Sequence, residues 1–328
     1  MVKSAPRAAP RSCIGVDLGG TKMLVGVVDS ERRVGYRASA ASAGLSRDEL
    51  LATLERELRA AIEARPDVQA AGLGIPCTID RRRGVAVIAV NLDLADVPVG
   101  ELMSERVGLP VFVDNDANAA ILAEHRFGAA HGTRNAVMLT IGTGIGGGLV
   151  IDGRVYRGSS GAGAELGHIV IDAEGPRCQG NCPNRGCVEA LASGTAIARE
   201  GIAAAQRAPD SALGRALAQG EEVDGRRVTD AALAGDATAR DVLQLIGRRI
   251  GVALSSLANA FDPDVIVLGG GASRAGDLLT GPARAELAAR ALPPMNRTPV
   301  TAAELGPDAG MIGAATMALL ELTGGSPG

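Results

Sequence analysis

The sequence contains no tryptophan and few other aromatic residues, and it has no long block of one charge. Beyond the short run Arg81–Arg83 there is no cluster of basic residues, and the 328 residues carry a formal net charge of -4. Since proteins hold a nucleic-acid backbone through clustered lysine and arginine, nucleic acid is not an expected partner. Residues 1–12 lack the apolar stretch of a signal peptide, and the longest uncharged run, around 136–151, is full of glycine. We therefore expect a soluble, cytoplasmic protein without a membrane partner.

Cysteine is also scarce, which argues against a disulfide framework in a chain of this length. Three of the five cysteines, Cys178, Cys182 and Cys187, are crowded together, and this density is typical of a metal site. The other two lie apart from this group. Cys13 belongs to an apolar segment and is predicted to be a core residue, whereas Cys77 is predicted to lie in a loop.

Glycine, with 45 residues, and aliphatic side chains are abundant. Apolar runs bounded by turn residues predict strands at Cys13–Leu18, Met23–Asp29, Val34–Ala38, Ala71–Ile75, Val111–Val113, Ala136–Thr140, Gly148–Ile151 and Val265–Leu268. Apolar side chains at helical spacing predict helices at Arg47–Arg65, Val99–Val107, Ala117–Phe127, Gly194–Arg207, Ala239–Phe261, Gly281–Ala291 and Gly310–Leu322. The alternation of strands and helices indicates an α/β protein.

One internal repeat organises the sequence. The segment Ile14–Asp29 can be laid over Val137–Asp152, and in each copy a polar residue precedes a glycine- and threonine-rich turn and a second apolar run. Each copy therefore predicts a β-hairpin with a glycine-rich tip. Glycine-rich hairpins are common turns, and this alternative explains one copy more readily than two. The repeat predicts two domains of related topology that face each other across a cleft.

The tip of the first hairpin is suited to bind phosphate. Gly19, Gly20 and Thr21 can direct several backbone N–H groups at one point, because glycine reaches positive φ and allows close approach. Asp17 beside the tip could hold Mg²⁺ next to the same phosphates, while Lys22 or Thr21 supplies a further donor.

Two further glycine-rich turns offer similar chemistry. In the second hairpin the corresponding residues are Thr140, Gly142, Thr143 and Gly144. A third turn, made of Gly269, Gly270 and Gly271, follows an apolar strand and could seat a nucleotide near a helix N-terminus. The second hairpin also spells a dinucleotide-binding fingerprint, but that interpretation requires a helix directly after the glycines, whereas residues 149–153 are predicted to form a strand and a turn.

A candidate catalytic base lies where the predicted strand Val111–Val113 runs through polar residues into a helix. Taken alone, a carboxylate at this position, Asp116, is more typical of a helix N-cap. Beside phosphate-binding turns, it is also where a hydroxyl nucleophile would need its proton accepted. Asn115 next to it could hold another hydroxyl.

A candidate zinc site lies further along the chain. His168 and the three crowded cysteines are four ligands of the types that zinc takes, and a closed tetrahedral set of this kind is structural. Free thiols are the alternative, which the density of the cysteines disfavours. The second ring N–H of a zinc-bound histidine needs a partner. A sugar hydroxyl could be that partner, with Glu165 and Glu189 accepting from its neighbours.

Together these motifs resemble the ROK family (repressors, open reading frames, sugar kinases) of the actin-like ATPase superfamily, and within it the bacterial glucokinases. The resemblance runs from about Cys13 to Leu322 and is carried by four motifs: Asp17–Lys22, Asn115-Asp116, Glu165–His168 and the cysteine cluster that ends in Cys187-Val188-Glu189. It implies a two-domain actin-like ATPase (ribonuclease H-like) fold. By resemblance, Asp116 is the catalytic base, the sugar-binding residues are Asn91, Asn115, Glu165, His168 and Glu189, and the zinc ligands are His168, Cys178, Cys182 and Cys187.

The chain departs from the family pattern at two positions. Three residues rather than one separate Cys178 from Cys182, and Cys77 stands where a glycine usually follows the proline of the sugar loop. Family repressors carry a helix-turn-helix ahead of the first phosphate loop, and the twelve mostly irregular residues before Cys13 are expected to be too few for one.

The expected architecture is an N-terminal α/β domain over 1–124, completed by the C-terminal helix 310–328, and a C-terminal α/β domain over 125–309 that carries the zinc and nucleotide sites. The expected activity is transfer of a phosphoryl group from Mg²⁺-ATP to the 6-hydroxyl of glucose, by a homodimeric enzyme. The alternatives are a kinase for mannose, fructose or N-acetylmannosamine, polyphosphate as the donor, and a catalytically silent sugar-binding regulator. Intact Asp17 and Asp116 argue against the silent regulator.

Overall fold

A computed structural model describes residues 11–80, 83–89 and 92–324. The chain divides into two compact units. The first unit holds the described residues up to Ala123, together with Ser160–Ala162 and the residues from Asp308 onwards. The second unit holds Glu124–Ser159 and Gly163–Pro307. Each unit contains a five-stranded sheet covered by helices, so the predicted α/β class is confirmed.

Over the described residues, the strands fall into two large sheets and one small one. The strands of the first unit are β1 (Ser12–Leu18), β2 (Lys22–Asp29), β3 (Val34–Ala41), β4 (Val68–Ile75), β5 (Cys77–Asp80), β6 (Val85–Ala89), β7 (Ala95–Val97) and β8 (Val111–Asn115). Those of the second unit are β9 (Ala136–Ile141), β10 (Ile145–Ile151), β11 (Arg154–Val155), β12 (Val265–Gly269) and β13 (Val300–Ala302). The small antiparallel sheet consists of β5, β6 and β7.

The helices are α1 (Arg47–Ala64), α2 (Val99–Val107), α3 (Asp116–Phe127), α4 (Val188–Ala192), α5 (Gly194–Arg207), α6 (Ala212–Ala218), α7 (Gly225–Leu233), α8 (Ala237–Phe261), α9 (Asp277–Arg290) and α10 (Ala309–Leu322). Short 3-10 helices cover Leu166–His168, Gly271–Ala275, Met295–Arg297 and Gly306–Asp308. Within the described residues, none of these helices combines the length and the apolar character needed to cross a lipid bilayer.

Local sequence explains where the helices begin and end. At the start of α1, Ser46 and Glu49 form a capping box in which each side chain accepts from the other residue's backbone N–H. At the end of α8, Asp262 adopts a left-handed conformation with φ of 42°, and the proline that follows cannot continue the helix.

The two large sheets have the same topology. Their strand orders are β3-β2-β1-β4-β8 and β11-β10-β9-β12-β13, and in each the first three strands are antiparallel while the last two run parallel to the central strand. The register is also equivalent. Asp17 pairs with Leu24, and Thr140 pairs with Gly146, each one rung before the hairpin closes. The predicted repeat is therefore present in the structure as two β-hairpins of matching position.

Glycines allow α10 to lie directly on the sheet of the first unit. A Cβ on Gly15 would lie 1.9 Å from the carbonyl oxygen of Met311, and one on Gly72 would lie 1.9 Å from that of Ala314. Real Cβ atoms do not approach so closely, so the helix and the sheet meet backbone to backbone at these points. This contact places the N-terminal end of α10 beside the end of β1.

The predicted elements match the structure within a few residues, with one correction. Cys13 is buried on β1, as predicted, but the loop prediction for Cys77 is wrong. Cys77 is the buried first residue of β5 and pairs with Ala89. The proline before it breaks one strand, but the chain resumes pairing at once with a strand of the small sheet.

Candidate active site and metal centre

The tip of the first hairpin turns its carbonyl groups toward protein donors. The N–H of Gly19 donates to the carbonyl of Lys22 at 3.0 Å and closes the turn. Ser42 donates through its hydroxyl to the carbonyl of Gly19 at 2.6 Å and through its N–H to that of Thr21 at 3.0 Å. Within the described residues, the N–H groups of Gly20 and Thr21 have no backbone acceptor. The tip is therefore arranged to present N–H donors to an anion.

The second hairpin is held in the same way by the start of α5. The N–H of Gly194 donates to the carbonyl of Gly142 at 2.8 Å, and the Thr195 hydroxyl donates to the carbonyl of Thr143 at 3.0 Å. The positive end of the α5 dipole therefore lies against this tip, which favours an anion there.

The expectation of positive φ at the tips is wrong. Gly19 and Gly20 do not adopt it, and neither do Gly142 and Gly144. At these tips glycine instead lets other groups pack closely against the backbone. This is clearest at Gly144, where a Cβ would lie 2.3 Å from the carboxylate of Glu189.

The third glycine turn lies beside the second hairpin. Gly269 ends β12 and pairs with Thr140 of β9. Gly270 has φ of 83°, and a Cβ there would lie 2.5 Å from the carbonyl oxygen of Ile141. A 3-10 helix and then α9 follow, as the prediction of a helix after this turn requires. After the glycines of the second hairpin, by contrast, the chain continues as β10, so the dinucleotide-binding interpretation fails.

Two carboxylates meet at the carboxyl ends of parallel strands in the first unit. Asp17 lies near the end of β1 and Asp116 directly after β8, with β4 between these strands. Burial raises the pKa of Asp17 to about 7; the charge of Asp116 adds to this increase and Lys22 opposes it. A Cβ on Gly310 would lie 2.6 Å from the Asp17 carboxyl carbon, so the first turn of α10 closes over this carboxylate. Such a pair of acidic groups is suited to a divalent cation and a proton acceptor.

Asn115, rather than Asp116, supplies most of the capping of α3. The Asn115 Oδ1 accepts the N–H groups of Ala117 at 2.9 Å and Asn118 at 3.2 Å. Asp116 is the first residue of the helix, and its Oδ1 accepts the N–H of Ala117 at 2.8 Å. Capping by Asp116 is therefore limited to one hydrogen bond, and the N-cap alternative does not exclude a further role for its carboxylate.

The four predicted zinc ligands lie together. Their ligand atoms are all within 4.8 Å of one another. The Nδ1 of His168 is 3.5 Å from Sγ of Cys178, and Sγ of Cys182 is 3.9 Å from that of Cys187. A tetrahedron with Zn–S bonds of about 2.3 Å has edges of about 3.8 Å, so the donor set fits zinc. Cys178 joins the cluster despite the longer spacing to Cys182.

Burial and crowding also act on the ionisation of these thiols. Burial raises the pKa of the Cys178 and Cys187 thiols, and the neighbouring thiols add to the increase at Cys178. Without a cation these groups would stay protonated, whereas zinc binds the thiolate.

The two glutamates of the predicted sugar site flank this cluster. Glu165 precedes the 3-10 helix that carries His168, and loss of hydration raises its pKa, with His168 opposing and Glu189 adding to the increase. Glu189 lies in the first turn of α4, and its Oε2 accepts the N–H of Ile145 at 2.8 Å. Asn91 lies outside the described residues.

The model of the ROK family matches residues 13–321. This chain belongs to the ROK family. A glucokinase from Thermotoga maritima is 36% identical over 313 residues, which cover 93% of this chain and 96% of the relative. The crystal structure of a ROK family glucokinase from Streptomyces griseus, in complex with glucose and AMPPNP, superposes with a TM-score of 0.85 at 36% identity and covers 94% of this chain and 99% of its own. A ROK hexokinase from Thermus thermophilus superposes with a TM-score of 0.76 at 37% identity, covering 96% and 100%.

Some residues beside the hairpin tips and Asp17 were not predicted from the sequence. Ser42 and Thr195 hold the hairpin carbonyls, and Gly310 makes room for Asp17. The start of α5 at Gly194 was predicted, and Ser193 is its N-cap, but the contact of this helix start with the second hairpin was not predicted. Ser42 and Gly310 carry no local signal, because their role depends on contacts with residues far away in the sequence.

Proposed function

We propose that this chain is an ATP-dependent glucokinase that converts glucose to glucose 6-phosphate. The observation that carries the proposal is the carboxylate pair: Asp17 beside a tip of backbone N–H donors and Asp116 at the start of α3. The glucokinases among the ROK relatives support the choice of sugar, and the AMPPNP bound by the relative from Streptomyces griseus supports ATP as donor.

In this mechanism Asp116 accepts the proton of the sugar 6-hydroxyl as its oxygen attacks the terminal phosphorus of ATP. The new oxygen–phosphorus bond forms while the bond to the bridging oxygen breaks, and ADP leaves with that electron pair. Because the transition state of phosphoryl transfer is loose, most of the rate comes from alignment and charge stabilisation. The hairpin tips supply both through their N–H groups.

The remaining roles follow the chemistry of each group. Asp17 would hold the Mg²⁺ that accompanies ATP and neutralises charge on its phosphates. The predicted sugar ligands are Asn91, Asn115, Glu165, His168 and Glu189. Zinc held by the cysteine cluster would fix the orientation of the His168 ring and leave its second nitrogen to a hydroxyl. Homodimeric assembly and a cytoplasmic location remain predictions.

The test is ADP release from Mg²⁺-ATP with glucose, mannose, fructose and N-acetylmannosamine offered separately. We expect strong turnover on glucose, and we expect Asp116→Asn to lower kcat by about 10²- to 10⁴-fold because the proton acceptor is lost. Asp210→Asn, a change at an exposed carboxylate, is the matched control and should keep wild-type turnover.

The other outcomes separate the alternatives. Near-normal turnover in Asp116→Asn would remove the assignment of the base, and preference for another sugar would change the substrate but keep the kinase. If no sugar supports ADP release although the protein is folded, polyphosphate is tested next as the donor. Sugar binding without turnover on either donor would identify a silent regulator.

A further inference from the structure

Glu189 contacts the second hairpin as well as the cysteine cluster. Its Oε2 accepts the N–H of Ile145 at 2.8 Å, and its Oε1 lies 3.8 Å from Sγ of Cys178. A Cβ on Gly144 would lie 2.3 Å from the same Oε2, so the hairpin has a glycine where the carboxylate rests against it. One half-buried carboxylate thus contacts the backbone of two successive residues of the tip.

The chain that follows Glu189 holds the rest of the tip. The short helix α4 leads through Ser193 directly into α5, whose first two residues donate to the carbonyls of Gly142 and Thr143. The segment Glu189–Thr195 therefore contacts every residue of the tip from Gly142 to Ile145. This segment is itself anchored, because the metal-cluster residue Cys187 is the N-cap of α4 and is fully buried.

We propose that Glu189 is a positioning residue for the donor nucleotide: its carboxylate holds the tip Gly142–Ile145 in the shape that binds phosphate, separately from any contact that it makes with the sugar. This inference rests on the proposed kinase function, since that function makes this tip a ligand of the donor phosphates.

Because Glu189 is negatively charged, the direction of the change in ADP affinity separates positioning of the tip from electrostatic repulsion of the phosphates. A carboxylate near bound phosphates repels them, so loss of charge alone would tighten the binding of ADP. Loss of the hydrogen bond to Ile145 acts in the opposite direction, because the tip is no longer held in one shape and must be ordered when ADP binds. A weaker affinity after removal of the carboxylate is therefore the signature of positioning.

Three substitutions at Glu189 separate the effect of the hydrogen bond to Ile145 from the effect of the charge. Glu189→Gln removes the charge but keeps an oxygen that can accept from Ile145, Glu189→Asp keeps the charge but is one methylene too short, and Glu189→Ala removes both. The measurement is calorimetric affinity for Mg²⁺-ADP in the absence of sugar. We expect unchanged or tighter binding in Glu189→Gln and about tenfold weaker binding in Glu189→Asp and Glu189→Ala.

Glu165→Ala is the matched control. Glu165 belongs to the same predicted sugar-binding set, but in the part of the chain that the structure describes it is Glu189, not Glu165, whose carboxylate accepts a hydrogen bond from the tip. We expect this variant to lose affinity for glucose and to keep wild-type affinity for Mg²⁺-ADP. Metal content and thermal unfolding of each variant establish that it is folded.

The inference is overturned if Glu189→Asp and Glu189→Ala bind Mg²⁺-ADP within about twofold of the wild-type protein. Should Glu189→Ala fail to fold, the comparison of the Asp and Gln variants decides alone. Failure of the wild-type protein itself to bind Mg²⁺-ADP would overturn the proposed kinase function, and this inference with it.

Discussion

At the scale of single residues, the most informative group is the carboxylate of Asp17. Burial and the nearby charge of Asp116 raise its pKa from 3.8 to about 7. The ionised form is therefore less favourable in the folded chain than in the unfolded one. Folding thus brings two carboxylates close together. This arrangement suits a cation, but without the cation it lowers the stability of the folded chain.

The pH dependence follows from this direction. Below about pH 4 the carboxyl group is protonated in both states, and as the pH rises toward 7 only the unfolded chain ionises. The contribution of Asp17 to stability therefore falls between these pH values and stays low above them. Asp17→Asn, which is neutral throughout, should raise the Tm of the cation-free protein by about 2–6 °C at alkaline pH and much less near pH 4.

Differential scanning fluorimetry at several pH values measures this effect, with Asp210→Asn as the exposed control. The same Asp17→Asn variant should lose turnover. A variant that is less stable than the wild-type protein at alkaline pH would contradict this prediction. It would mean that Lys22 and the start of α10 stabilise the ionised carboxylate more than burial and the charge of Asp116 destabilise it.

At the scale of secondary-structure elements, the packing of α10 depends on the absence of side chains. A Cβ on Gly313 would lie 1.7 Å from the carbonyl oxygen of Ala119 in α3, so Gly313→Ala must push two helix backbones apart. We expect a loss of about 1–3 kcal/mol in the free energy of unfolding. Gly281 is a helical glycine of α9 with open space around its Cβ position, and Gly281→Ala should change the free energy of unfolding by less than about 1 kcal/mol, because the gain in helix propensity is opposed by the ring of Pro282.

Urea denaturation of the two variants provides the measurement. Both substitutions replace a helical glycine by alanine, so a much larger loss of stability in Gly313→Ala reports the contact with α3. Equal stabilities would show that the helices separate without cost.

The cysteine cluster gives a second prediction for an element, the irregular chain from His168 to Cys187. This stretch is rich in turns, and we expect bound zinc to provide much of its stability. Freshly purified protein should contain about one zinc per chain, and Cys182→Ser should lose most of it and lower the Tm. Cys13→Ala, at a buried cysteine outside the cluster, should keep the metal.

Elemental analysis of the three proteins decides this prediction. Much less than one zinc per chain in the wild-type protein, or full zinc in Cys182→Ser, would contradict it. The first result would leave the cysteines as free thiols, and the second would give the fourth ligand position to another group.

The elements show which parts of the structure local patterns can predict. Strong periodicity and clear end signals placed α2 and α5 at their observed bounds, and the repeat located both hairpins. Short elements such as β13 and α4 were not predicted, because a few residues carry too little periodicity. At the site, motifs identified the acidic pair and the metal ligands, but not the contact of Ser42 with Gly19, which joins residues that only the fold brings together.

At the scale of the whole molecule, two sheets with equivalent strand orders carry different functional groups. The first unit holds the carboxylates Asp17 and Asp116, and the second holds the cysteine cluster and the hairpin that contacts Glu189. The repeat could be predicted because both copies kept a polar residue one rung before the tip. The sequence also shows that this position is Asp17 in one copy and Thr140 in the other. The burial of Asp17 could not be predicted, because it depends on the packing of α10 over the carboxylate.

The position of α10 also determines the order in which the molecule can fold during synthesis. This helix belongs to the first unit, yet it is translated after every residue of the second. The sheet that begins at Ser12 therefore emerges from the ribosome with the glycine-lined surface of β1 and β4 uncovered, and it stays so until Ala309–Leu322 arrives. Domains usually complete their folding from the N-terminus onward. Here we expect the second unit to be able to close first, because its last described residue, Pro307, is translated before the helix that covers the first sheet.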